Sequence, residues 1–150
     1  MTIHIFETGD QVVQVYGAPR LALRKTLVTV RAIAGKTERF ATRSGELVGN
    51  EADDLVVVPL DGSSPYPCRK TIFEQSWSET EPGSGVYRRT ALARLVPLPE
   101  GHEVIVRSLE GDLTIRHPDF IAIGVQGEVY ANSAEWVAEN LEFLPHPQAV

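Results

Sequence analysis

The sequence predicts an α+β fold: two similar repeats, each a small, mainly antiparallel twisted β-sheet closed by one C-terminal helix, packed together as a pseudo-symmetric unit. Three observations predict it. Residues 103–123 form short β-branched runs of alternating polarity, separated by turn residues. A capped, amphipathic helical pattern follows them. An edited copy of this stretch occurs earlier in the chain, and self-similarity at a fixed spacing is the signature of a repeat architecture.

In chain order, Thr2–Phe6 and Gln11–Tyr16 read as a hairpin around Thr8-Gly9-Asp10. This N-terminal extension, residues 1–23, has no counterpart later and is expected to cover a sheet edge. Repeat one spans 24–79. Leu27–Ile33 is its opening strand, Glu38–Thr42 the next, and Asp54–Val58 a further one. A helix carries Ile72, Phe73 and Trp77 on one face. Residues 80–87, overlapping the Gly- and Pro-punctuated SETEPGSG stretch of Ser78–Gly85, are the joint between repeats. Repeat two spans 88–146. In Glu103–Arg107, Val104 and Val106 share a face; in Leu113–Arg116, Leu113 and Ile115 do. Phe120–Ile123 is apolar on both faces, as in a strand covered on both sides. Asn132-Ser133-Ala134-Glu135 offers either a capping box from Asn132 or a plain Ser133 cap. The helix after it buries Trp136, Val137 and Leu141, and Pro145 stops it. The tail beyond Pro145 is expected to be loose.

The two copies stay in step with short gaps. Arg43-Ser44 answers Arg107-Ser108, Gly45-Glu46-Leu47 answers Gly111-Asp112-Leu113, and Asp54–Val58 answers Asp119–Ile123. Gly62 answers Gly127 and Tyr66 answers Tyr130. Upstream, Arg24-Lys25-Thr26 matches Arg88-Arg89-Thr90. The spacing is about 64 residues, and the ordered set reads as a tandem duplication.

On Tyr87-Arg88-Arg89, Gly111-Asp112-Leu113 and the Gly124–Tyr130 segment GVQGEVY, and on Tyr66–Arg69 with Ile72-Phe73-Glu74, each repeat resembles the PGDYG family of small, mostly phage and bacterial proteins. The name motif is degraded to His117-Pro118-Asp119-Phe120 and Ala52-Asp53-Asp54-Leu55, and only its Asp remains, as Asp119 and Asp54. The resemblance implies a small α+β unit and brings no established activity.

A 60-residue unit buries little of its surface, so the repeats are expected to share a core. The formal charge is −6. Residues 1–75 carry nine basic and nine acidic side chains; residues 76–150 carry five and eleven. Such a chain is a poor general nucleic-acid binder, because phosphate neutralisation supplies most nonspecific affinity. The single cysteine, Cys68, excludes an internal disulfide and fits a reducing compartment. The first residues are too quickly charged for a signal peptide, and no apolar run reaches membrane-spanning length. A cytoplasmic protein is expected.

Apparent chemical motifs weaken on inspection. Ala34-Gly35-Lys36-Thr37 resembles the end of a phosphate-binding loop, but Val30 stands where the first glycine belongs and a strand follows in place of a helix. No histidine has a partner at metal-ligand spacing, so neither a metal nor a cofactor is expected. His117 with Asp119 could share a proton; a turn histidine beside a turn aspartate is the plainer reading. Cys68 precedes a helix, where its N-terminus and Arg69 would lower the thiol pKa and make a nucleophile; a partly buried structural thiol is the favoured reading. Glu51, Asp53 and Asp54 read as a solvated turn.

The expected function is a non-enzymatic binding or accessory module, of phage or bacterial type, that contacts a protein or a small anion. No catalytic residue is assigned. The candidate binding residues are the recurring basic pairs Arg24-Lys25 and Arg88-Arg89. Neighbours along a strand point to opposite faces, so at most one of each pair can face a shared groove. The alternative is a small enzyme with a site at the repeat interface, drawing on Cys68, His117 and nearby carboxylates. The sequence leaves the partner and the oligomeric state open.

Overall fold

A computed structural model describes residues 3–145. In chain order it comprises β1 (His4–Phe6), α1 (Gly9–Tyr16), β2 (Arg20–Arg24), β3 (Val28–Ala32), β4 (Thr37–Thr42), β5 (Gly45–Asn50), β6 (Asp54–Pro59), β7 (Tyr66–Arg69), α2 (Lys70–Ser76) and β8 (Trp77–Glu79). After a loop come β9 (Tyr87–Arg89), β10 (Ala93–Pro97), β11 (Glu103–Ser108), β12 (Gly111–Arg116), β13 (Phe120–Ile123), β14 (Val129–Asn132), α3 (Ala134–Asn140) and β15 (Leu141–Phe143). The architecture is α+β, mostly antiparallel sheet with three short helices. His146 and the tail after Pro145 lie outside the described residues, as do Met1 and Thr2.

Two five-stranded sheets form the body. The first has the order β7-β6-β3-β9-β8 and the second β14-β13-β10-β2-β15. Each contains a strand from the other half of the chain. β9, which lies beyond the loop, pairs with β3 and β8 in the first sheet. β2, which precedes β3, pairs with β10 and β15 in the second. Two hairpins, β4-β5 and β11-β12, meet along β5 and β12. There Val48 N–H donates to the Glu110 carbonyl at 2.8 Å and Thr114 N–H to the Ser44 carbonyl at 2.9 Å.

Burial follows the alternation. β13 is covered on both faces: Ile121 and Ile123 pack with Val96, Val104, Val106 and Ile115 beneath the β11-β12 hairpin, while Ala122 packs with Ala22, Leu95, Val137 and Leu141 under α3. In the first sheet, Val28 and Val57 pack against Phe73 and Trp77 around α2. These continuous apolar contacts supply the main driving force for folding.

Three sequence expectations are corrected. Residues 9–16 are a helix, not the second strand of a hairpin. Thr8 and Gln11 form a reciprocal capping box, which satisfies two orphan amide donors and starts a helix. Val12 and Tyr16, one turn apart, then reach the core together. β1 finds its partner in β11, in parallel, so the extension does cover an edge, but with one strand. Residues 80–86 are the loop of the β8-β9 hairpin, within one sheet. Finally, the last helix ends at Asn140, well before Pro145. Leu141 turns extended because its backbone pairs opposite Arg24 of β2. Ser133 is the cap, its hydroxyl accepting from Trp136 N–H at 3.1 Å.

Candidate functional site

Between the two sheets lies a cavity of about 590 Å³, walled by β7, α2 and β8 on one side and by β12, β14 and α3 on the other. Arg24 ends β2 on the inward face. The strand's alternation leaves Leu21 and Leu23 outside and brings Ala22 and Arg24 in. Only 9% of Arg24 is exposed. Its Nη1 donates to the Tyr66 hydroxyl at 2.7 Å. Its guanidinium lies 4.9 Å from the Trp77 ring centroid and 4.8 Å from that of Trp136, an arrangement in which the ring quadrupoles stabilise the cation.

Its other donors are unmatched. Arg24 Nε and Nη2 are buried without a hydrogen-bond partner among the described residues. These two N–H groups lie along one edge of the planar guanidinium, the fork that grips a carboxylate or phosphate with two parallel bonds. Asp61, whose carboxyl is held below its ordinary pKa chiefly by the Ser63 hydroxyl and amide and also feels Arg24, bonds Ser63 instead. A buried donor left unmatched costs about 1–3 kcal/mol.

Arg89 enters the same cavity from the first sheet. It ends β9 opposite Trp77, as Arg24 ends β2 opposite Leu141. Its Nε donates to the Ala91 carbonyl at 3.0 Å and its guanidinium lies 5.9 Å from the Trp77 ring. Of the four candidate binding residues, Arg24 and Arg89 therefore line the cavity, whereas Lys25 and Arg88 are exposed. The two that line the cavity hold different places in their pairs, Arg24 the first and Arg89 the second.

Two carboxylates also reach the cavity. Glu110, at the β11-β12 turn, and Glu128 line it beside Cys68 and Arg69. Burial above all, then the neighbouring Asp54 carboxylate, pushes the Glu110 pKa up to about 7, with Arg69 opposing. No side chain pairs with the Glu110 carboxylate among the described residues. Glu128 accepts from Gln126 N–H at 2.9 Å.

Cys68 departs from the expectation of a lowered pKa. It sits within β7 rather than on a helix end, and burial, reinforced by Glu110 and Glu128, pushes its thiol up to about 12. At neutral pH it is a thiol and not the nucleophilic thiolate. His117 is not brought to it: its Nδ1 lies 2.9 Å from the Leu98 carbonyl, away from the cavity lining. Asp119 bonds Arg43 and accepts from Ala134 N–H at the start of α3. Asp54 is also corrected. It is buried, accepting from the Asn50 amide and side chain, while Glu51 and Asp53 stay exposed.

Among the described residues, no group of three or more His, Cys, Asp or Glu side chains is placed to hold a metal, and no helix is long and apolar enough to cross a membrane. In comparisons with known proteins, no family model, curated protein or solved structure matches the chain.

The sequence pointed to Arg24 and Arg89 through their recurrence. It missed Glu110, which reads as one more carboxylate in a polar turn. Its burial comes from the docking of β5 against β12, a pairing across distant residues that no local pattern announces.

Proposed function

We propose that the protein is a non-enzymatic binding module, built by tandem duplication of a PGDYG-like unit, that holds a small anionic ligand in the cavity between its two sheets. The observation that carries this reading is Arg24: a buried guanidinium, fixed by Tyr66 and two indoles, whose bidentate edge has no acceptor among the described residues. A buried unpaired charge is costly, and a carboxylate or phosphate supplies the missing bonds. Concavity favours a small ligand over a flat protein surface. Support for the duplication is the recurring order of strand, strand, hairpin, strand, strand, helix and strand, together with the matched placement of Arg24 and Arg89.

The reading is tested by the chain's own tryptophans. The sequence contains two, and both flank Arg24. Titration with aliphatic and aromatic carboxylates and with phosphate monoesters is expected to change their fluorescence and raise the melting temperature. Arg24→Met keeps the apolar stem and removes the charge. It is expected to abolish the response while leaving stability within ~1 kcal/mol of wild type or above it, since replacing a buried charge with an apolar side chain of similar shape is often neutral or stabilising. A response retained in Arg24→Met, or absent from the wild type across the panel, overturns the assignment.

A further inference from the structure

Building on the small-anion reading, we infer that the ligand is a zwitterion: its acid group sits on Arg24, an apolar body spans the cavity, and a cationic amine meets Glu110 at the far end.

The inference rests on two opposite charges that share one cavity without meeting. Arg24 is buried with its Nε and Nη2 edge unmatched, and Arg89 stands nearby on the same Trp77 ring. That end is cationic. Elsewhere in the lining stand Glu110 and Glu128 with Arg69, and Asp54, outside the lining, adds its charge to that of Glu128 around Glu110. Arg24 and Glu110 form no ion pair with each other, although each lines the cavity. A ligand with one charge satisfies one end and leaves the other desolvated; a ligand with both offsets both penalties.

Strand β7 sets the scale. Tyr66, bonded to Arg24, and Cys68, whose thiol feels the Glu110 charge, are two residues apart on that strand. Successive same-face positions are separated by about 7 Å. A ligand that reaches from Arg24 to Glu110 therefore needs a chain that separates its charges on this scale, and apolar atoms suit the space between them. Tyr130, Leu113 and Val129 contribute apolar lining to the cavity. An ω-amino acid, or a short peptide read at its two ends, has this form.

Matched probes separate this inference from the reading beneath it. Caproate and ε-aminocaproate share a chain and a carboxylate and differ in the terminal ammonium; n-hexylamine has the ammonium alone. Tryptophan fluorescence titration near pH 8 is expected to show caproate binding and ε-aminocaproate binding at least tenfold more tightly, with that ratio falling towards one in Glu110→Gln. Because the ratio is taken within each variant, a general change in stability does not mimic it. Equal binding of the two acids, or a ratio unchanged in Glu110→Gln, overturns the zwitterion assignment and leaves the anion site standing. Failure of both acids to bind overturns both, and binding of n-hexylamine alone reverses the polarity of the site.

Discussion

Gly45 and Gly111 each open a strand at the point where the β5 and β12 backbones touch. A methyl group on Gly45 would lie 2.7 Å from the Asp112 carbonyl oxygen, and one on Gly111 would strike the Glu46 carbonyl oxygen. Their φ angles, 151° and 154°, lie where side chains other than hydrogen are strained. The two glycines thus set how closely the hairpins approach. Gly45→Ala and Gly111→Ala are each expected to cost ~2–4 kcal/mol, as strain and close backbone contact combine. Gly83 is also at positive φ, but a methyl group there would meet nothing within 4 Å, so Gly83→Ala serves as the control for conformation alone. Chemical denaturation of the three variants measures the difference.

Cys68 is expected to be inert in the folded protein. With its thiol pushed up to about 12, alkylation by iodoacetamide near pH 8 should run slower by about 100-fold or more than in the denatured chain. Mass spectrometry over a time course reads the rate. Fast alkylation of the native protein would require a thiolate that the cavity's electrostatics oppose.

Glu110 links stability to pH. Its folded pKa, about 7, lies above its ordinary value of 4.5, so the folded state binds the proton more tightly than the unfolded one. Its contribution is therefore full below about pH 4.5 and is lost as pH rises through about 7. Glu110→Gln should remove this decline and stabilise the protein near pH 8 by ~1–3 kcal/mol. The difference in unfolding free energy between wild type and variant, measured from about pH 5 to about pH 8, gives the curve. A flat difference would contradict the assignment.

The two sheets are expected to unfold together. Ile121 is fully buried in β13, and Ile121→Asp places a charge there at a cost of several kcal/mol. Because β2 is tied to β3, and β9 to β10, by only three residues each, the chain crosses twice between the sheets, and loss of either sheet disturbs strands anchored in the other. Hydrogen exchange in Ile121→Asp should show protection lost in β3 and β6 as well as in β10 and β13. Normal protection in the first sheet would show two independent units.

The strands of the hairpins and sheet centres were legible because their side chains alternate within short windows: Val104, Val106, Leu113 and Ile115 mark their own faces. The short strands β2, β8 and β15 were not. Arg20–Arg24 has charged ends, and Trp77 and Leu141 each read as the last turn of a helix, because pairing with a distant strand is what makes them extended. The N-terminal helix was missed for a local reason. Val12, Val13 and Val15 suggest a strand, yet the Thr8–Gln11 box and the Val12–Tyr16 spacing override that propensity. At the site, the recurring basic pairs contained both cavity arginines, but strand alternation alone does not say which member of each pair turns inward. That orientation is set by strand pairing, Trp77 opposite Arg89 and Leu141 opposite Arg24, which are contacts between separate elements.

The placement of β9 in the first sheet also orders events during synthesis. A growing chain that has emerged as far as α2 has β3, β6 and β7 in hand, but the open side of β3 has nothing to pair with until Tyr87–Arg89 leaves the ribosome. β2, made earlier still, waits for β10 and then for Leu141–Phe143, almost the end of the described chain. Nascent intermediates therefore carry a bare edge on β3 until β9 emerges and on β2 until β10 and β15 emerge, a condition that invites pairing between neighbouring chains. The last strand to appear, β15, closes the second sheet.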